Sequence, residues 1–243
     1  MLDPSEKKCS TWKRMAVFLL DGLSTLILFL VLLFTLGNLC VKQIAANDIQ
    51  SMNVQYQEIC DIYQYPYVQE NQYGLIILNR DKIIDDKVES GMSAEKAYEE
   101  SEKINSEIEK SLSENETYRQ AYKNFYLIYN VSNISCMFVS MLIFQLIVPL
   151  CTKKGQTLFM YIFKLGLAQK ENGVVVHKYQ ILARFFIIFV VEYLSIYLLL
   201  GIIGEAFVII LSLVVISLTK NRLSFHDLIL KAYLKDAPSI YIE

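Results

Sequence analysis

The chain has 243 residues, 54% of them hydrophobic and 20% charged, with a mean hydropathy of +0.34 and a formal net charge of −2. Soluble domains of this size carry about 25% charge, so the composition argues against an ordinary cytosolic enzyme and excludes a disordered chain. The apolar residues are gathered into three nearly uncharged runs, 15–39, 134–151 and 185–219, and runs of about 18 or more such residues read as membrane spans.

The first run is long enough to cross a hydrocarbon core of about 30 Å even when tilted, and too long for a signal-peptide core. It is expected to be a retained first helix. Residues 41–124 follow as an extracytoplasmic insert. In it Val41, Ile44, Ala45, Ile49, Met52, Tyr56, Ile59 and Tyr63 recur at three- and four-residue steps, which extends the first helix several turns beyond the membrane. Ser93 reads as the N-cap of a helix whose apolar stripe is Ala94, Ala97, Ile104, Ile108 and Leu112. The tyrosine-rich stretch 63–67 and the run 74–78 suggest a turn and a short strand between the helices. A Tyr-rich acidic lobe of this kind suits either self-packing or a partner membrane protein.

The second span covers about 130–151, entered through Phe125, Tyr126 and Tyr129 as an aromatic belt. The cytoplasmic link 152–183 carries an apolar face of Leu158, Tyr161, Ile162, Leu165 and Leu167, the pattern of an amphipathic helix lying in the inner interface. Residues 173–176 suggest a short extended piece. The third run would reach roughly 50 Å as one helix. Folding at Gly201-Ile202-Ile203-Gly204 instead makes a short hairpin of two helices, 185–201 and 204–219, with Arg184 before and Lys220 and Arg222 after it on one side. Residues 236–243 form a C-terminal tail.

This arrangement is an all-α integral membrane protein: a four-helix transmembrane bundle (1–40 with 125–235) with both termini in the cytoplasm. Its cytoplasmic pieces hold 14 basic and six acidic residues, and its outer segment nine basic and 16 acidic. That asymmetry orients the chain in the plasma membrane of a bacterial cell and gives no reason to invoke nucleic acid. The five cysteines show no C-x-x-C spacing, so no metal or cofactor is expected. Cys40 and Cys60 lie on the oxidising side, either bridged or as lone thiols.

Ionisable groups inside a membrane need partners or a wet cavity, so each is a functional candidate. Arg14 and Asp21 share a helix face two turns apart, with Asp21 about 10 Å deeper. Glu192 lies about 12 Å past Arg184, and Gln145 about 9 Å from the inner end of its helix. A layer of Asp21, Gln145 and Glu192 would hold a small cation or share a proton, since two close carboxylates do not both stay ionised without a counter-ion. The alternative is structural: Asp21 pairs with Arg14, Arg184 or Lys164 and pins the bundle, with Glu192 neutral and hydrogen-bonded.

These residues together resemble the RDD family of membrane proteins, named for one arginine and two aspartates. The match runs through Arg14 and Asp21 in the first helix, Gly155-Gln156-Thr157-Leu158 and Gly166-Leu167 in the link, Arg184 opening the third helix, and His226-Asp227 after the last. Phe159 and Met160 stand where the family often has Gly-Lys, and the insert 41–124 finds no counterpart. The resemblance implies transport, with sodium/proton exchange attributed to a few members. On that reading Asp21 is the ion carrier, Glu192 and Gln145 complete its site, Arg14 tunes it, and Asp227 with His226 forms the cytoplasmic mouth. Four short helices leave little room for an aqueous route unless the protein forms a homodimer. The competing reading is an accessory subunit that binds a partner complex through the insert. With no Ser/His or Cys/His pairing, metalloprotease motif or phosphate loop, an enzyme ranks last.

Overall fold

The computed structural model describes residues 10–62, 68–169, 174–219, 224–230, 232–237 and 240. It is mostly helical and divides into two compact units, one made of Met1–Val31 with Ile134–Glu243, the other of Leu32–Asn133. Two helices, Thr11–Ile44 and Glu116–Cys151, are long and apolar enough to cross a membrane. Only 17% and 22% of their apolar windows are buried within the protein, which separates them from the core helices of a soluble domain.

In the unit Leu32–Asn133, the helix Ala46–Ile62 buries Ile49, Met52, Tyr56, Ile59 and Cys60, the stripe that the spacing indicates. Ile44 departs from that stripe and is exposed, and Tyr63 lies outside the described residues. Strands Val68–Glu70 and Ile76–Leu78 pair antiparallel, joined through Gly74 at φ +81°, a conformation that favours glycine. Asn53 clamps this hairpin: its Nδ2 donates to the Gly74 carbonyl at 2.8 Å and its Oδ1 accepts from the Ile76 amide at 2.8 Å. The Tyr56 hydroxyl accepts from the Leu78 amide at 2.9 Å, and burial pushes its phenol up to about 12. A helix Arg80–Glu89, capped by the Asn79 side chain, precedes Ala94–Glu114. The latter buries Ala97, Ser101, Ile104, Ile108 and Leu112, whereas Ala94 is exposed and Ser93 makes no side-chain cap. Cys40 and Cys60 are free thiols, with burial pushing Cys60 up to about 11.

The other unit corrects the expectation of a purely helical chain. The helix after Thr157 is only Leu158–Ile162, because Lys164 adopts a left-handed conformation at φ 56° and turns the chain into a strand, Leu165–Gln169. This strand pairs antiparallel with Ala232–Asp236, from Leu165 opposite Asp236 to Gln169 opposite Ala232, while Val175 bridges Ala168 from the other side. Leu165 and Leu167 are therefore buried sheet residues rather than an interfacial face, and Leu158, Tyr161 and Ile162 remain exposed. Val17, Met160, Val176, Ile181 and Leu234 close the core around this sheet.

The expected break at Gly201–Gly204 is absent: after helix Lys178–Phe186 and a π-helical stretch Ile187–Leu194, Ser195–Leu218 is a single helix. Two glycines cost only about 1 kcal/mol each in a helix otherwise made of good formers, too little to interrupt its hydrogen bonding. The run is nevertheless not straight. Arg184 Nε lies 3.0 Å from Asp227 Oδ1. A straight helix from Arg184 to Leu218 would span about 50 Å, the chain onward to Asp227 reaches at most about 32 Å, and the two side chains cannot close the difference. The helical run therefore bends, which lets Asp227 meet Arg184.

Candidate functional site

On the helix Thr11–Leu32 the buried residues are Arg14, Val17, Asp21 and Thr25, so the face turned inward carries the polar groups while the exposed faces are apolar. This is the pattern of a helix solvated by lipid, where charged groups face the bundle interior. The second and third apolar segments add one polar group each from a π-helical stretch: Gln145 in Leu142–Ile147 and Glu192 in Ile187–Leu194, both buried. Such wide turns inside α-helices recur at functional sites because they displace one side chain from the regular helical face. The short helix Phe225–Ile229 and the residue before it supply Ser224, His226 and Asp227, all buried, with Asp227 fully so.

These groups form one network. Asp227 is its hub: it pairs with Arg14 through one oxygen and with Arg184 Nε at 3.0 Å through the other, and accepts the Ser224 hydroxyl at 2.6 Å. Arg184 also donates to the Gln145 amide oxygen at 3.3 Å, and its Nη2 lies 2.9 Å from His226 Nε2. The opposite ring nitrogen of His226, Nδ1, is 2.9 Å and 3.2 Å from the two oxygens of Glu192. Burial by itself would raise the Asp227 carboxyl, but His226, Arg184, Arg14 and the Ser224 hydroxyl outweigh it and hold the group well below the ordinary carboxylate range.

Asp21 sits apart from this hydrogen-bonded network. Its Oδ2 accepts from the Thr157 hydroxyl at 2.5 Å and its Oδ1 from the Phe159 amide at 3.2 Å, so it secures the start of Leu158–Ile162, of which Thr157 is the N-cap. Its link to the rest is electrostatic, through Arg184. The single layer of Asp21, Gln145 and Glu192 thus divides: Gln145 and Glu192 are joined through Arg184 and His226, and Asp21 binds the link. Arg14 pairs with Asp227 rather than tuning Asp21, and Lys164 is exposed. Asp227 and His226 lie at the buried centre, not at an open mouth. Gly155, at φ +60°, sets the turn ahead of Thr157, with side-chain carbons of Val176 and Ile181 each 3.2 Å from where a β-carbon would stand. Among the described residues no group of side chains fits a metal ion.

The central place of His226 and Ser224 is what the sequence concealed. The partners of His226 on the third apolar run lie 34 and 42 residues away, and Arg14 reaches Ser224 from 210 away, beyond any helical periodicity. The signal that remained was charge: three carboxylates and two arginines at the edges of apolar runs need one another.

A long pair of apolar, lipid-facing helices with a buried ionic network defines a membrane protein. The family model for the RDD family matches residues 105–231, and the chain belongs to that family. The matched segment contains Gln145, Gly155, Thr157, Arg184, Glu192, His226 and Asp227, and the structure ties to them the two residues that precede it, Arg14 and Asp21. No curated protein sequence and no solved structure matches the chain.

Proposed function

We propose that this protein is a multi-pass plasma-membrane transporter, not an enzyme, that exchanges a small cation for protons through its buried carboxylates. The observation that carries this reading is a charge imbalance. Both oxygens of Asp21, Asp227 and Glu192 face donors, so all three act as carboxylates. Against them stand two guanidiniums, Arg14 and Arg184, so that with Asp21, which joins the network electrostatically through Arg184, the buried set is one positive charge short. In a low-dielectric interior such a deficit is costly, and either one proton or one monovalent cation relieves it. Alternating between the two is a one-for-one exchange that moves no net charge.

The topology that goes with this reading has four crossings, the last two sharing the bent helix 178–218, and both termini in the cytoplasm. It is supported by the pairing of Arg184, before the third apolar run, with Asp227, after it, and by the basic excess of the inner segments. The test is a proteoliposome with an internal pH dye and an imposed proton gradient, to which sodium or potassium is added. Glu192→Gln leaves two carboxylates for two arginines and removes the need for a counter-ion, so cation-dependent dye recovery is lost while insertion persists. Recovery in the native protein is unaffected by a clamped membrane potential. Native vesicles indistinguishable from empty ones, with insertion verified, would overturn the reading.

A second reading, an accessory subunit, is favoured by the unit Leu32–Asn133. It has hydrophobic cores of its own and an open groove of about 620 Å³ flanked by Asn53, Gln57, Asp61 and Tyr73. A stoichiometric partner that is lost when residues 47–120 are replaced by a short linker would support it.

A further inference from the structure

We propose that the exchangeable proton of the network resides on the His226–Glu192 pair, with Ser224 as the group that receives the added N–H, and that Asp21 is not a proton site. This rests on the exchange reading for its link to transport, but the protonation itself follows from the donors and acceptors around one ring.

A guanidinium donates and never accepts. Because Arg184 Nη2 stands 2.9 Å from His226 Nε2, that nitrogen is an acceptor and carries no proton. The ring proton is therefore on Nδ1, where it points at the Glu192 carboxylate at 2.9 Å. This is a neutral imidazole with an anion at one end and a cation at the other. A proton added at Nε2 would set one donor against another and one cation against another, so the Arg184 Nη2 contact is given up. Arg184 keeps Asp227 Oδ1 through Nε and Gln145 through Nη1. The new N–H has an acceptor in place: Ser224 Oγ is 2.9 Å from Nε2 and donates its own hydrogen to Asp227 Oδ2 at 2.6 Å. The imidazolium then lies between Glu192 and Asp227, whose Oδ1 is 3.6 Å from Nε2. One proton has entered, no bond between heavy atoms has changed, and the network of three carboxylates and two arginines is neutral.

The groups facing the ring are thus Glu192 and Arg184 from the bent helix and Ser224 and Asp227 from its own segment. Behind these, Arg14 from the first helix reaches it through Asp227, and Gln145 from the second through Arg184. Asp227 is held by both guanidiniums and has no free oxygen for a proton. Asp21 has both oxygens occupied by Thr157 and Phe159, and protonating it would break the cap of the link.

The sequence holds two histidines, His177 and His226, so His177→Gln leaves His226 as the sole imidazole. Nitrogen NMR of that protein, labelled with ¹⁵N-histidine in lipid nanodiscs, reads the tautomer directly and follows protonation with pH. Expected are an Nδ1–H tautomer in the neutral form and a protonation midpoint that needs about tenfold more acid in Glu192→Gln, one unit of lost charge pairing. Ser224→Ala moves it the same way, and serves if Glu192→Gln does not fold, whereas Asp21→Asn leaves it in place. An Nε2–H tautomer, or a midpoint indifferent to both substitutions, overturns the assignment. Adding sodium or potassium at constant pH separates this from the transport reading. A midpoint moved by Glu192→Gln but by neither cation upholds the proton site and sinks cation exchange. One moved by a cation but not by Glu192→Gln or Ser224→Ala does the reverse.

Discussion

Arg14, Arg184 and Asp227 show how costly groups are kept in an apolar setting: each finds its opposite charge, and the hub carboxylate is fully satisfied. Removing one partner leaves an uncompensated buried charge, so Asp227→Asn is expected to cost about 3–5 kcal/mol, seen as a lower thermal midpoint in detergent. The sign of its pH dependence follows from its depressed carboxyl. The stabilisation is fully present above the ordinary carboxylate value of 3.8, declines as pH falls from there towards the lower value of the folded state, and is gone below it. Native protein therefore shows no Asp227-linked loss of stability between neutral pH and about 3.8, and Asp227→Asn flattens the acid limb between that value and the folded one. Asp21 makes a different prediction. Thr157→Val strips the shortest of its bonds and leaves a buried carboxylate oxygen short of a donor, costing about 1–3 kcal/mol, whereas Thr157→Ser retains the hydroxyl and most of the stability.

At the scale of elements, the sequence was most legible where a segment's neighbours along the chain decide its structure. The stripe Ile49, Met52, Tyr56, Ile59 buries as its spacing indicates, and so does Ala97, Ile104, Ile108, Leu112, because a helix repeats its face every three to four residues. It was least legible at Leu165–Gln169, where two buried leucines at i and i+2 read equally as the end of a helix or as a strand, and the paired residues of the partner strand lie 63 to 71 positions on. The same holds for the helix Arg80–Glu89, whose weak apolar content hid it although Asn79 supplies a regular cap. Gly155 tests the turn between second span and link: at φ +60°, with Ile181 and Val176 carbons each 3.2 Å from where a Cβ would stand, Gly155→Ala is strained on both counts. We expect about 1–2 kcal/mol of lost stability. Faster amide exchange at Leu167 and Val176 would accompany it, whereas unchanged exchange would mean that the turn tolerates a side chain.

The chain as a whole is a membrane protein whose long helices turn apolar surface outward and polar residues inward. Its proposed sidedness is open to thiol labelling, since Cys40, on the proposed outer side, and Cys151, on the proposed inner side, are both exposed while Cys60 and Cys136 are buried. In sealed inside-in vesicles an impermeant maleimide is expected to modify Cys40 and spare Cys151. Cys60 stays unmodified, because it is buried and its thiol, pushed up to about 11, is hardly ionised at neutral pH. Labelling of Cys151 from the outside would reverse the orientation.

Hydropathy and charge, read along the chain, determined by themselves that this protein lives in a membrane and which segments are apolar enough to enter it, while the motif residues from Arg14 to Asp227 carried its resemblance to the RDD family. Hydropathy and charge are properties of local composition, and lipid selects for them directly. Even the polar residues that matter, Arg14, Asp21, Gln145, Arg184, Glu192, His226 and Asp227, were visible in or beside apolar runs. Who pairs with whom was decided only by the tertiary structure. The bend of the helix 178–218 carries Asp227 back to Arg184, the π-helical turns aim Gln145 and Glu192, and the strand pairing seats the end of the chain beneath the link. Those contacts join residues tens to hundreds of positions apart, and a buried charge takes the partner that the fold brings within reach, not the one nearest along the helix.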